Sequence, residues 1–470
     1  GQRAGPRHKR DRLLENAWAS GHKNGTNDGG AVSLSFPSNS NRAGLTFAHA
    51  DSYMQIKRTT HALCAKALSP HSIASRYVYM PHMPDIAAPP RSKSATFQVD
   101  TESMPLEQVL VHTPGHEMEL VAPDNRTDLL FDDILFLGHA RDEHLLMCEL
   151  FEKVVDAPGA VLQVSELLLT AFQEEDARLD FIDRLCRVMP ETNLQAVRDE
   201  LKKISPSELH SLALTGESPL PLTLPPLPNL MFTRDLAAVV HDRIVISHAA
   251  TAARSRESII MQVLLHHHPF FDDVSDRVIT LPEGVTFEGG DLLMAAPDVL
   301  LIGHSERTSF GAIMAIAHQV FEHTPIEHVL AVDLPRRRST MHLDTVFTFA
   351  SPNECVAFPP LIDDPSYGYS VHLMEGNEPG QFITDMRLHL RDAMEDLIDR
   401  DITFIPCGGS ERLHQEREQW TDGANVFSVA PGVVVGYERN RRTFEELRAH
   451  GYRVVSAENF LSYYENSTFT

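Results

Sequence analysis

The 470-residue chain is long enough for two or three average domains, or for one large domain with an insertion, so size does not limit its core. Its 42% hydrophobic and 23% charged composition is that of a folded protein and excludes fibrous, collagen-like and wholly disordered readings. A formal charge of -24, from 41 Lys+Arg against 65 Asp+Glu, repels phosphates and anionic headgroups, which argues against nucleic acid or a membrane surface as partner. No apolar run approaches the ~18–20 residues of a membrane helix, and the basic N-terminus lacks an apolar signal region. Five cysteines (Cys64, Cys148, Cys186, Cys355, Cys407), odd in number and widely spaced, fit neither a disulfide framework nor a CxxC zinc pattern. A reducing compartment is expected, most simply the cytoplasm.

Residues 1–100 carry 13 Lys+Arg against 6 Asp+Glu, whereas the remainder carries 28 against 59. This first stretch is rich in Gly, Ser, Asn and His and shows no sustained period, so little offsets the entropy of ordering it. A disordered or non-native extension is expected there, with the body of the protein over 101–470 and its globular start near Met104. Over 104–140, apolar clusters such as Val109-Leu110-Val111 and Leu129-Leu130-Phe131 alternate with Pro, Gly, Asn and Asp, which predicts strands and turns. Over 141–214 helical periods take over, and Ser205, Pro206 and Glu208 form a capping box with proline in the first helical position. This block predicts a helical insertion in an α/β body. After the Pro-rich stretch 220–228, strands are expected at 239–247, 299–303, 329–332, 345–349 and 426–437. Helices are expected at 252–265, 309–323, 382–399 and 444–450, the last with Thr443 as cap and Gly451 at its stop. The alternation makes the class α/β.

Four polar constellations fall at strand ends, where α/β scaffolds tend to hold functional groups. The first is Pro228-Asn229-Leu230-Met231-Phe232-Thr233-Arg234-Asp235; alone, its Arg-Asp pair is more simply a structural turn. The second is Phe287-Glu288-Gly289-Gly290-Asp291, where paired glycines permit close backbone approach between two carboxylates. The third is Met341-His342-Leu343-Asp344-Thr345; strand alternation would put His342 and Asp344 on one face, as a general base with a neighbouring carboxylate needs. The fourth is Gly408-Gly409-Ser410 followed by Gln419-Trp420-Thr421-Asp422-Gly423-Ala424-Asn425. The run His266-His267-His268 is not a metal site, because adjacent side chains diverge from a regular backbone; a helix terminus is expected. Gly289-Gly290 lacks the GxGxxG spacing of a dinucleotide loop.

In this order and at these separations the motifs resemble the arginine deiminase family over roughly residues 106–452. Leu110-Val111-His112, Pro114-Gly115-His116-Glu117, Leu130-Phe131-Asp132-Asp133, His267-His268-Pro269 and Ala430-Pro431-Gly432-Val433-Val434 fit it too. The resemblance implies the fold of guanidino-group-modifying enzymes, a five-bladed pseudo-symmetric α/β propeller, with the inserted helical bundle where 141–214 falls. It implies hydrolysis of L-arginine to L-citrulline and ammonia through a cysteine thiouronium intermediate, without metal or organic cofactor. Asp235 and Asp344 match the family's guanidinium-binding aspartates, Glu288 the carboxylate that pairs with the cation and shuttles protons, and His342 the general acid/base. Arg254 and Arg307 match two arginines that hold the α-carboxylate, and Asn229 and Phe232 match further pocket positions. The chemistry is coherent, because a guanidinium that is always protonated must be oriented and neutralised before its carbon is attacked.

One departure stands out. The family's nucleophilic cysteine lies in a C-terminal Gly-rich segment just after an Arg, whereas residues 456–470 contain no Cys, Arg or Gly. The expectation is a chain cut short before its nucleophile; Cys407, beside a glycine pair, is expected to be a small core residue. The rivals are a catalytically silent arginine-binding protein, and an amidinotransferase or methylarginine hydrolase on the same fold. L-Arginine is the expected partner, and assembly into a homo-oligomer is left open.

Overall fold

The computed structural model describes residues 45–50, 97–189, 194–363, 370–378, 381–387, 389–398, 400–465 and 469. The first element is β1 (Leu45–Ala50). From residue 97 the chain packs on the body: the Phe97 ring lies 5.6 Å from those of Phe270 and Phe271, and Val99 bridges His241. Strand β2 (Val109–Val111) is followed by α1 (His116–Glu119) and α2 (Leu137–Val155), then by β3 (Val161–Gln163), which pairs parallel with β2. Helices α3 (Val164–Ala171), α4 (Glu175–Val188), α5 (Leu194–Leu201) and α6 (Pro206–Thr215) come next.

One unit then recurs: a β-hairpin, a helix, and a third strand parallel to the second. Its first copy is β4 (Ala237–Val240), β5 (Arg243–Ile246), α7 (Ser255–His267) and β6 (Val278–Ile279). Its second is β7 (Leu292–Ala296), β8 (Val299–His304), α8 (Phe310–His323) and β9 (His328–Asp333). The third pairs β10 (Phe347–Ser351) with β11 (Glu354–Ala357) and passes through α9 (Pro359–Asp363). It then makes an excursion, the hairpin β12 (Val371–Glu378) and β13 (Gln381–Arg387), which adds to the edge of β9. Helix α10 (Leu390–Leu397) and β14 (Thr403–Pro406), parallel to β11, complete it. After α11 (Arg412–Trp420), β15 (Phe427–Ala430), β16 (Val433–Tyr437), α12 (Arg441–Ala449) and β17 (Tyr452–Ser456) form the last copy, and α13 (Ala457–Tyr463) follows. The described strands make five sheets.

The capping box at α6 stands as expected: Ser205 Oγ accepts from the Glu208 N–H, and a Glu208 carboxylate oxygen accepts from the Ser205 N–H. Ser309 likewise caps α8, and the histidine run ends α7. Other elements differ. Helix α12 starts at Arg441 after Asn440, so Thr443 lies inside it, drawn in because its hydroxyl and N–H both donate to Glu418. Residues 382–399 hold a strand and then a helix: the apolar groups of 381–387 pair with β12, a long-range ladder that local periodicity does not reveal. The helical block 141–214 is interrupted by β3. Within 1–100, β1 stands between β16 and β17, antiparallel to both. Six residues are too few to show a period, and the ladder partners lie almost four hundred positions away. The rest of the expected extension, 1–44 and 51–96, lies outside the described residues.

Three 3-10 turns, each leading into the hairpin of one unit, make the floor on which the functional groups stand. They span Thr233–Leu236, Gly289–Asp291 and Leu343–Thr345, and the middle one contacts the other two. Each closes by the same bond, an N–H to the carbonyl three residues back: Asp235 to Phe232 (3.0 Å), Asp291 to Glu288 (3.1 Å) and Thr345 to His342 (3.3 Å).

Candidate active site

His342 and Asp344 were expected on a strand; they lie instead on the third turn, with His342 extended at its start and β10 beginning only at Phe347. The cause is a clasp. Asp291, wholly buried, accepts the Leu343 N–H at 2.9 Å with Oδ1 and the Ser305 hydroxyl at 2.7 Å with Oδ2. Ser305 Oγ in turn accepts the N–H groups of Arg307 (2.9 Å) and Thr308 (3.1 Å), and Thr308 Oγ1 accepts the Glu288 N–H at 3.3 Å. Asp291 therefore ties together the loops bearing Glu288, Arg307 and His342.

On this floor the four expected groups converge. His342 Nε2 lies 3.0 Å from Glu288 Oε2, and its Nδ1 lies 3.5 Å from Asp235 Oδ1. A Cβ placed on Gly290 would lie 2.7 Å from His342 Nδ1, 2.9 Å from Asp235 Oδ1 and 3.0 Å from Asp344 Oδ2, so all three line one small space above that glycine. At Gly289 the same atom would come within 2.2 Å of the Arg234 carbonyl. The pair of glycines thus permits the close approach that their presence suggested.

Arg254 and Arg307 also enter the site. Arg254 Nη1 donates to Asp235 Oδ2 (2.5 Å) and Glu288 Oε2 (3.3 Å), while its Nε donates to Glu257 Oε2 (2.8 Å). Arg307 Nη1 is 3.5 Å from Glu288 Oε1. Asn229 is buried and donates from Nδ2 to the Leu129 carbonyl; its own carbonyl and that of Phe232 face Arg254 Nη2 at 3.4 and 3.5 Å. The Phe232 ring is exposed.

The electrostatics follow from burial and neighbours. Burial alone would lower the His342 pKa, but the Asp235 charge and the Glu288 bond overcome it and carry it to about 10. Burial opposes ionisation of Glu288 and Asp235 too, yet His342 and Arg254 hold both below the usual carboxylate range. Asp344 is different: burial pushes it up to about 7 against the pull of His342, and its Oδ1 is buried without a partner. Burial likewise takes Asp291 to about 6 and Glu257 to about 7.

Four supporting residues were not singled out from the sequence as site members. Asp291 and Arg234 stood within quoted motifs, and only their bonds reveal their work: Arg234 pairs with Glu102 at 3.0 Å and donates to the Gly289 carbonyl at 3.1 Å. Glu257 and Ser305 carried no local signal. The described cysteines lead elsewhere: Cys148 contacts His144, Cys355 the Thr403 carbonyl and Cys407 Thr443, and Cys186 is buried on α4, while Cys64 lies outside the described residues. Burial pushes Cys407 up to about 12, and it packs among Ala350, Val356, Ile405 and Leu447 as the expected core residue. Asp235, Glu288 and His342 present ligand atoms all within 4.8 Å of one another, a set able to hold a metal ion. Arg254 already neutralises both of its carboxylates, so a metal would have to displace that guanidinium.

A buried histidine bonded to a glutamate and ringed by further carboxylates, on an α/β scaffold, is an arrangement suited to orienting a cation and moving protons around it. A family model described as arginine deiminase matches residues 184–459. The arginine deiminase of Listeria monocytogenes serovar 1/2a is 35% identical over 387 residues, covering 77% of this chain and 93% of the relative. That of Limosilactobacillus reuteri is 33% identical over 384 residues, covering 76% and 92%. Among solved structures, DDAH from Pseudomonas aeruginosa, a mutant complexed with citrulline, is 21% identical with a TM-score of 0.31, over 49% of this chain and 71% of that one. The chain belongs to the arginine deiminase family.

Proposed function

We propose that the protein hydrolyses L-arginine to L-citrulline and ammonia, with Asp235 and Asp344 orienting the guanidinium and Glu288 and His342 moving protons. The observation that carries this reading is the convergence of Asp235, His342 and Asp344 above Gly290, with Glu288 bonded to His342, despite more than a hundred residues between Asp235 and Asp344. Carboxylates are rarely gathered inside a protein unless a cation or proton relay offsets their repulsion and desolvation. In this mechanism, addition of a nucleophile to the central carbon makes it tetrahedral. The C–N bond then breaks as His342 gives its proton to the departing ammonia; the imidazole next takes a proton from the water that adds to the same carbon, and collapse of this second tetrahedral adduct breaks the bond to the nucleophile, releasing it and leaving the ureido group of citrulline. Glu288, bonded to Nε2, keeps the imidazolium charged until the ammonia departs. The thiouronium route needs a cysteine thiolate at this cage, and Cys148, Cys355 and Cys407 make their contacts away from it. The same reading takes the recurring hairpin, helix and parallel strand as blades of a five-bladed pseudo-symmetric propeller, with the helices of 141–214 as its insertion.

Calorimetric titration with L-arginine and with agmatine, alongside an assay for citrulline, tests the reading. If Arg254 and Arg307 hold the α-carboxylate, arginine binds more tightly by about 1.5–3 kcal/mol per charge-assisted hydrogen bond lost in agmatine. Failure to bind arginine, or equal affinity for both ligands, overturns that assignment.

A further inference from the structure

The polar constellation that begins at Gln419 takes no place among the three turns of the floor, yet it is bonded to one of them. We infer that Gln419 is a positioning residue, whose side-chain amide holds both ends of the loop that carries His342 and Asp344 and so sets where those two groups stand. Its effect on ligand binding rests on the reading of the site as an arginine site. Gln419 lies on α11 and is 4% exposed. Its Nε2 donates to the Ser339 carbonyl and, at 3.2 Å, to the Thr345 carbonyl. Those two acceptors enclose His342 and Asp344 in the chain. A primary amide carries two N–H donors on one uncharged nitrogen, so a single side chain can serve both carbonyls without burying a charge.

The loop depends on such holds. Its turn closes by the 3.3 Å bond from the Thr345 N–H to the His342 carbonyl, which the Thr345 hydroxyl also reaches at 2.7 Å. Asp291 accepts the Leu343 N–H in the middle, and Gln419 takes the carbonyls at either end. The rest of the constellation continues the grip into β10. The Ala424 carbonyl accepts the Thr348 hydroxyl at 2.6 Å, and Thr348 Oγ1 accepts the Val426 N–H at 3.2 Å. A tight exit from α11 makes this possible, since a Cβ on Gly423 would lie 2.8 Å from the Glu418 carbonyl and 2.9 Å from Cys407 Sγ. Without the amide, the carbonyl of the buried Thr345 loses this donor, and the turn must shift to find another. One helical turn earlier on the same face of α11, Gln415 donates from Nε2 to the Gly409 carbonyl at 2.7 Å, in a loop that bears none of the site's charged groups. The contrasting view is that Gln419, like Gln415, only stabilises the fold.

The test compares Gln419→Met with Gln415→Met, each of which keeps a long uncharged side chain and removes the amide donors. Both variants should melt below wild type. Only Gln419→Met should displace the His342 ring resonances in nitrogen-15 NMR of the ligand-free protein and weaken L-arginine in calorimetry, by about tenfold. Unchanged His342 signals and arginine affinity in Gln419→Met overturn the inference, and so does an equal change of both in Gln415→Met. Should Gln419→Met fail to fold, Gln419→Glu, of the same shape but with at most one donor for two carbonyls, is read in the same way, and unmoved His342 signals in it refute the role. If wild type binds no arginine the proposed function falls, while the His342 signals still decide the part played by Gln419.

Discussion

Replacing Gly290 with alanine tests whether the space above that glycine is the site. The new methyl would lie 2.7 Å from His342 Nδ1 and 2.9 Å from Asp235 Oδ1, separations that real Cβ atoms essentially never show, and a tight 3.0 Å from Asp344 Oδ2. Something must move, and the distances say what. His342 is held through Glu288 at 3.0 Å and through its neighbour's N–H on Asp291; Asp235 is held by Arg254. Movement of Asp344, whose contact is 3.0 Å, relieves neither of the two closer ones, so His342 or Asp235 itself must give way despite those bonds. Overpacking of this kind costs about 1–3 kcal/mol, a fall of about 1–4 °C in melting temperature for a chain of this size. Displacing one guanidinium ligand should weaken arginine about ten- to hundredfold. Calorimetry and scanning fluorimetry read both effects. Gly311→Ala in α8 is the control, since its methyl meets only Val285 Cγ1 at 3.1 Å. Arginine affinity within twofold of wild type in Gly290→Ala, with an unchanged melting temperature, would refute the placement of the site.

Stability should fall as pH rises through the range in which His342 loses its proton. Its folded pKa of about 10 lies above the unfolded value of 6.5, so the stabilisation is complete below 6.5 and disappears as pH climbs through 10. Glu288 and Asp235, held below their usual values, act in the opposite sense and withdraw stability as pH falls through their folded pKa values. Melting curves of wild type and His342→Asn from pH 6 to 10 check this; parallel decline in both proteins would exclude His342 as the cause. Cys407→Ser should leave arginine binding and any citrulline formation unchanged and cost about 1–2 kcal/mol of stability, because it puts a more polar hydroxyl into the core around Thr443. Loss of turnover on that substitution would instead make Cys407 the nucleophile.

The residues proposed to carry proton chemistry were legible because chemistry is written in residue types: a Glu before paired glycines, and a His two places before an Asp, are visible without coordinates. Their backbone setting was not. Alternation suggested a strand for 341–345, but the Asp291 clasp, made from fifty residues away, bends that stretch into a turn. Capping at Ser205 was readable because both partners lie within three residues. Thr443 has the same local pattern, yet Glu418, twenty-five residues upstream, captures it and moves the helix start. Strands β1 and β13 were missed for the same reason, their ladders being supplied by distant partners. Local signals with local partners survived folding; those whose hydrogen bonds are claimed by distant groups did not.

The three turns at the floor each contribute an aspartate, and their surroundings assign them different states. Asp235 faces Arg254 and His342 and stays ionised. Asp291 has no cation bonded to it, only the Ser305 and Thr308 hydroxyls and the Leu343 N–H, and burial brings it to about 6. Asp344 sits near 7 with one oxygen unpartnered, so near neutrality a substantial share of it is protonated. A guanidinium arriving beside it would favour the charged form and expel that proton. Arginine binding should therefore release a fraction of a proton per molecule at pH 7 and less at pH 8.5, where Asp344 is already ionised. The binding enthalpy measured in buffers of different ionisation enthalpy reports that number directly, and Asp344→Asn should abolish the part due to this group. A proton count that stays at zero across that pH range would mean that Asp344 does not meet the cation.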